Sequence, residues 1–322
     1  PPHNPRLITA PRGSMFPTAP RKMNILLVAF AVGLLVPAVG IFMKENMNTK
    51  VRGRKDLENL SIPFIGEIPQ YSGTEKKWWE FKHRKRQDMK TIVVNEGNRN
   101  IINEAFRVLR SNMDFMASKD NNQHVFVLPS FNPGSGKSFL AINIAISFAI
   151  KKKKILVIDG DLRHRTVSSY VDSPNKGLSD YLNNQIEDWK EIIVSYKGYT
   201  SLHILPIGTI PPNPTELLED SKLSMLIEAL RPEYDYIFID CPPVDIVADA
   251  QIIEKWADRT IFVVRSGLLD RSMLSELENM YTGKRFKNLS MILNGTESTG
   301  GRYGYRYGYH YGYASYYGSK DK

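Results

Sequence analysis

The apolar positions of this chain fall into two regimes. Residues 24–43 (NILLVAFAVGLLVPAVGIFM) run for 20 positions without a charge. As a helix such a run spans about 30 Å, the thickness of a bilayer core. Pro37 and the glycines are tolerated in lipid. The run is too long for a secretory signal, and no small-residue cleavage site follows it. The expectation is therefore one transmembrane helix over 23–44. From residue 99 onward the pattern changes to short apolar runs separated by amphipathic stretches. Strands are predicted at 125–128, 155–158, 204–206, 236–239, 261–264 and 291–293, and helices at 103–116 and 138–150. Strands of continuous apolar character alternating with helices predict an α/β domain, a mostly parallel sheet with helices on both faces.

Flanking these regimes are segments with no such pattern. Residues 1–22 hold six prolines and read as an extracytoplasmic Pro-rich stub. The first residues are Pro-Pro-His, so the chain reads as a piece of a longer one. Residues 45–97 read as a juxtamembrane linker. Within it KKWWEFKHRKRQDMK, 76–90, packs Lys and Arg beside Trp78 and Trp79. That stretch suits either an anionic membrane surface or a solvated linker. The globular domain is placed at 98–298 and a tail at 299–322.

Charge and cysteine content narrow the setting. The chain of 322 residues carries a net charge of +9, a balance suited to anionic partners such as lipid headgroups or nucleotide. Its single cysteine, Cys241, excludes an intrachain disulfide framework and sits where packing is the expected role.

The candidate chemistry lies at the carboxyl ends of three predicted strands, where ligands of parallel sheets sit. After the first comes Pro133-Gly134-Ser135-Gly136-Lys137-Ser138. This is a phosphate-binding loop. The glycines admit the phosphates to backbone N–H groups, Lys137 reaches the β- and γ-phosphates, and Ser138 ligates Mg²⁺. The general pattern has a glycine at position 131, where this chain has Phe131. After the second strand comes Asp159-Gly160-Asp161-Leu162-Arg163. Residues two apart in an extended segment face one way, so both carboxylates address one site. Asp159 is assigned to the metal, Asp161 to accepting the proton of an attacking hydroxyl, and Arg163 to steadying phosphate charge. The third strand ends at Asp240, followed by Pro242-Pro243, and Asp240 is assigned as the second carboxylate on the metal. The implied cofactors are ATP and Mg²⁺.

With PGSGKS at 133–138, VIDGDLR at 157–163, FIDCPP at 238–243, EAFRVLR at 104–110, GLSDYL at 177–182 and GTIPPNPTELL at 208–218, the chain resembles the cytoplasmic half of the bacterial tyrosine kinases (BY-kinases) that act as capsular and exopolysaccharide co-polymerases. The resemblance runs from the apolar helix to the tail. It implies a P-loop NTPase-type fold and a kinase domain on the cytoplasmic side of the bacterial inner membrane. It implies ATP-dependent autophosphorylation of the tail, control of polysaccharide length and export, ring-shaped homo-oligomers, and partners in the polysaccharide machinery with a protein tyrosine phosphatase. Nucleic acid is not among them. It also implies that Glu104, Arg107 and Arg110 lie at the subunit interface; on residue spacing alone they are one charged helix face. Asn294 resembles an adenine-contacting position of related ATPases. The phosphoacceptors implied are Tyr303, Tyr305, Tyr307, Tyr309, Tyr311, Tyr313, Tyr316 and Tyr317, half of the chain's 16 tyrosines. Their interleaved glycines oppose any packed element. A coil of 22 residues reaches about 25 Å, which permits either the tail's own site or a neighbour's.

Two other readings stand beside this one. A partition-type ATPase of the deviant-loop class shares the domain pattern, but it places a second lysine near the start of the loop, where this chain has Ser130-Phe131-Asn132. A polysaccharide co-polymerase with a non-enzymatic nucleotide domain is the other. The intact set Lys137, Asp159, Asp161 and Asp240 weighs against it.

Overall fold

The structure is a computed structural model, and it describes residues 22–71, 91–119, 123–244 and 249–297. The Pro-rich stub, the basic stretch at 76–90 and the tyrosine tail lie outside these. The chain divides after Thr49. The first unit contains α1, Lys22–Asn46, long and apolar enough over Lys22–Met43 to cross a membrane. Its apolar side chains from Met23 to Met43 are exposed all round.

The second unit is built on eight strands: β1 Phe64–Pro69, β2 Val125–Leu128, β3 Ile155–Asp159, β4 Val194–Ser195, β5 Leu202–Leu205, β6 Tyr236–Asp240, β7 Arg259–Arg265 and β8 Ser290–Thr296. Their spatial order is β1-β8-β7-β2-β6-β3-β5-β4, and all neighbours are parallel except β4 against β5. The helices are α2 Ile101–Lys119, α3 Lys137–Ala149, α4 Leu178–Leu182, α5 Pro214–Glu219, α6 Ser221–Leu230, α7 Asp249–Glu254 and α8 Met273–Thr282.

Alternation along the strands sorts the core into two faces. Phe126, Leu128, Val157, Phe238 and Val263 point to the side where α2 and α3 pack. Val125, Val127, Leu156, Ile237 and Ile239 point to the opposite side, against α4 to α7. There α8 closes a third cluster over Phe262, Val264, Met291 and Leu293. Both faces being covered explains why the central strands read as unbroken apolar runs.

Most predicted boundaries shift by one to three residues. The predicted helix at 103–116 extends to Ile101–Lys119. The predicted strand at 204–206 is β5, two residues earlier at its start. The larger difference is β1, which lies inside the stretch assigned to a linker, 45–97. It pairs with β8 as the sheet's edge strand. Its apolar positions are broken by Gly66 and closed by Pro69, a residue an edge strand can accept at its end. Residues 91–95 are also anchored to the domain. Asn143 of α3 accepts from the amides of Val93 and Val94 at 2.9 and 3.2 Å, and Asn103 of α2 donates to Val93 O at 2.9 Å.

Candidate active site

The loop from β2 to α3 forms the floor of the site. Gly134 and Gly136 have φ of 76° and 88°, the left-handed region that costs glycine least. Gly136 stands at the N-cap of α3, so the helix opens with amides free for an anion. A Cβ at Gly136 would lie 2.3 Å from Asn294 Nδ2, so only glycine fits there. Phe131 is explained by packing. It is buried, and its ring meets Phe262 of β7 edge-on at 4.8 Å. The departure from the general glycine pattern therefore pins the loop to the sheet. Lys137 is buried, with Nζ 3.2 Å from Ser130 Oγ.

Beside the loop, β3 and β6 end in register, with Asp159 opposite Asp240. The chain crosses this point closely. A Cβ at Gly160 would lie 2.7 Å from Asp240 O, and Gly160 N donates to that carbonyl at 2.9 Å. Asp240 Oδ2 accepts from Ser138 Oγ and, at 3.3 Å, from Thr166 Oγ1. Asp159 Oδ2 accepts from Ser168 N at 2.7 Å and Ser168 Oγ at 2.6 Å. The second oxygen of each carboxylate, Oδ1, is buried with no hydrogen-bond partner among the described residues. Burial raises the pKa of Asp159 well above the usual carboxylate range, and the adjacent Asp240 adds to the rise. Burial likewise raises Asp240 to about 6, opposed by Lys137 and by the Ser138 hydrogen bond.

Asp161 lies one step further out, nearly buried. Its Oδ1 accepts from Arg163 N at 3.2 Å, and its Oδ2 stands 3.3 Å from His164 Nδ1. Arg163 Nη2 donates to Thr215 Oγ1 at 3.2 Å, which ties the 159–163 turn to α5. Behind it the GLSDYL and GTIPPNPTELL segments interlock. Asp180 Oδ2 accepts from Gly177 N at 2.9 Å and Thr209 N at 3.1 Å.

The sequence-assigned residues thus separate into groups. Lys137, Ser138, Asp159, Asp161, Arg163 and Asp240 converge around the loop. Asn294 also reaches it, but through the loop backbone: its Nδ2 donates to Ser135 O at 2.8 Å, and the side chain is 1% exposed. Glu104, Arg107 and Arg110 lie elsewhere, on α2. Arg107 bonds Glu104 Oε2 at 3.0 Å and Asn98 O at 2.9 Å, and Arg110 bonds Ser147 O at 2.7 Å. Residues missed from sequence are Ser130, Thr166, Ser168 and Thr215. Single hydroxyls carry no pattern, and only the fold brings Thr166 and Ser168 to the carboxylates, Ser130 to Lys137 and Thr215 to Arg163.

The arrangement fits a nucleotide with its metal. No cluster of three or more His, Cys, Asp or Glu able to hold a metal exists among the described residues. Mg²⁺ needs none, because it keeps waters and binds through one or two protein oxygens plus phosphates. Ser138 Oγ and the unpartnered Asp240 Oδ1 are the oxygens available for such a set, with Asp159 beside Asp240.

The chain is similar to known proteins in sequence and in fold. A family model described as an AAA domain matches residues 123–280. The tyrosine-protein kinase YwqD of Bacillus subtilis (strain 168) is 32% identical over 242 residues, covering 74% of this chain and 96% of that protein. AmsA of Erwinia amylovora is 29% identical over 287 residues, covering 87% of this chain but 38% of that protein, so the chain spans well under half of its length. The kinase domain of the Escherichia coli tyrosine kinase ETK superposes with a TM-score of 0.64 at 26% identity, covering 78% of this chain and 97% of that one.

Proposed function

The chain belongs to the bacterial tyrosine-protein kinases, and on that premise we propose that it transfers the γ-phosphoryl group of ATP to tyrosine. The acceptors are the eight tyrosines of residues 301–322, presented by a neighbouring copy. The observation that carries this reading is the set of buried carboxylates beside a glycine cradle at a helix N-terminus. It joins phosphate binding, metal binding and a base at one point.

Each residue then has a role. The amides of Gly134 to Ser138 receive the phosphates, and Lys137 lies under the transferring group, where negative charge develops. Ser138 and Asp240 would hold Mg²⁺, which would neutralise the charge of the phosphates. Asp159, fixed by Ser168, keeps that carboxylate layer in place. The acceptor Oη attacks the γ-phosphorus, the bond to the bridging oxygen of ADP breaks, and the phenolic proton passes to Asp161. Arg163, set by Thr215, faces the departing charge.

We assign α1 as the anchor in the bacterial inner membrane, with the kinase domain in the cytoplasm where ATP is found. Assembly into a ring, and control of capsular or exopolysaccharide chain length and export, complete the reading. A contact along α2 is supported by Ile101, Val108 and Phe115, exposed at seven-residue spacing on one side of that helix. Phosphorylation acts on the ring through charge. The tail carries four Lys/Arg against one aspartate, and each phosphate adds about −1.5 to −2. Three or four phosphates reverse its sign, so gathered tails repel.

The test mixes full-length Lys137→Met protein with an active protein lacking residues 301–322, in ATP and Mg²⁺. Phosphotyrosine on the full-length inactive partner is the expected result. Its absence rules out transfer between subunits. Phosphate release without phosphotyrosine in the unsubstituted chain makes it a partition-type ATPase, and no nucleotide turnover makes it a scaffold.

A further inference from the structure

The carboxylates fix which way a nucleotide lies. Asp159, Asp161 and Asp240 all stand at the ends of β3 and β6, on one side of β2 and its loop. With a terminal phosphate and its metal held there, the ends of β7 and β8, on the other side of β2, are open to the nucleoside. Asn294 and Arg265 are register partners at that end.

Arg265 has an unusual setting. Its guanidinium lies flat against Gly295, whose φ is 76°; a Cβ there would meet Arg265 Cζ at 2.3 Å, Nη1 at 2.4 Å and Nε at 2.8 Å. The positive φ favours glycine at 295, and the absence of a Cβ leaves room for the guanidinium. Arg265 is partly buried, and no carboxylate pairs with it among the described residues. Burial without a compensating anion pulls its pKa down. The neighbouring Asn294 is already bonded to Ser135 O of the phosphate loop. A planar cation is thus packed against backbone at the carboxyl end of β7.

We infer that Arg265 is a base-binding residue of this nucleotide site, stacking its guanidinium on the purine with Gly295 as its backing. Guanidinium planes stack on aromatic faces, and a partly desolvated cation gains more from a π-face than an exposed one. A phosphate contact is the competing role for an unpaired arginine, and a ligand without a base separates the two. This inference rests on the nucleotide reading above, so its test must separate the two.

The full chain and its Arg265→Ala variant are titrated with Mg–ADP, and inorganic tripolyphosphate, which has no base, is used to displace ADP from each. The expected result is ADP binding weakened about 10-fold in the variant, with tripolyphosphate affinity unchanged. Unchanged tripolyphosphate binding also certifies that the variant is folded with its loop intact. Equal weakening of both ligands would assign Arg265 to the phosphates or to structure and overturn the inference. Unchanged ADP affinity would overturn it as well. An unsubstituted chain that binds no ADP, or whose ADP tripolyphosphate cannot displace, would remove the nucleotide reading itself.

Discussion

The ends of β3 and β6 and the outer face of α2 each carry three charged side chains, and the fold treats the two sets oppositely. Asp159 and Asp240 are buried side by side, each with one oxygen that no described residue satisfies. Glu104, Arg107 and Arg110 are partly exposed, and each is bonded within its own chain. Burying like charges together is costly unless a cation or proton compensates. Folding alone gives no reason for the first arrangement, whereas it fully accounts for the second. Unsatisfied polar capacity held against its cost is therefore the stronger mark of chemistry, and charge on a helix face the weaker one.

The comparison breaks at once if the strand-end set is inert. Lys137→Met should lower tyrosine phosphorylation at least about 100-fold, as removal of a preorganised electrostatic stabiliser does elsewhere. The circular dichroism spectrum should stay unchanged, because among the described residues Lys137 Nζ hydrogen-bonds Ser130 Oγ alone. Retention of activity would withdraw the kinase assignment. Asp161→Asn should slow transfer by about 100-fold while leaving ATP affinity intact, since an amide accepts no proton. A collapse of nucleotide affinity in that variant would make Asp161 part of the metal site instead of the base.

Asp240 sharpens the point, because it trades stability against activity. Its pKa in the folded chain is raised to about 6. A raised carboxylate favours the folded state fully below the unfolded pKa of about 4, and that benefit is lost as pH rises through about 6. At pH 8, without nucleotide, Asp240→Asn should therefore melt higher than the unsubstituted chain, by a few kcal/mol at most. At pH 4 the advantage should shrink, because the aspartate is then protonated too. Transfer activity should fall in the same variant. Equal melting temperatures at pH 8 would show that the carboxylate layer carries no stored cost.

How much of this was visible in the sequence follows from the range of the interactions involved. The central strands were legible because both their faces are covered, which leaves continuous apolar runs. Glycine loop and strand-end aspartates were legible because backbone geometry dictates their spacing. β1 was not: FIGEIP gains its identity from β8, more than 200 residues later, and an edge strand needs only Ile65 and Ile68 fully buried. Ser168 was not either, since nothing near it marks a hydroxyl that donates to Asp159 and accepts from Ile207 N. Asn294 was legible as part of the site, but its bond to Ser135 O was not.

The smallest expected effect tests the α2 side of the comparison. Arg107 and Arg110 look equivalent in sequence, three residues apart and about 60° around the helix. Their bonds differ. Arg107 forms an i,i+3 pair with Glu104 and reaches Asn98 O, all partly exposed to water. Arg110 reaches across to α3, where its Nη1 donates to Ser147 O. That carbonyl is in the last turn of α3, while Lys151 N bonds Phe148 O instead. A helix leaves its final carbonyls without intrahelical partners, and a cation there also meets the negative end of the helix dipole. Arg110 thus caps the helix that carries the phosphate loop at its other end. Arg110→Ala should destabilise the chain by about 1–2 kcal/mol, and Arg107→Ala by no more than about 0.5 kcal/mol. Denaturant melts of the two variants at a concentration where light scattering shows monomer measure this directly. Equal losses would remove the cap. If neither variant loses stability in the monomer but both dissociate the oligomer, the two arginines are free for a neighbouring subunit, and the distinction drawn between the two charged regions fails.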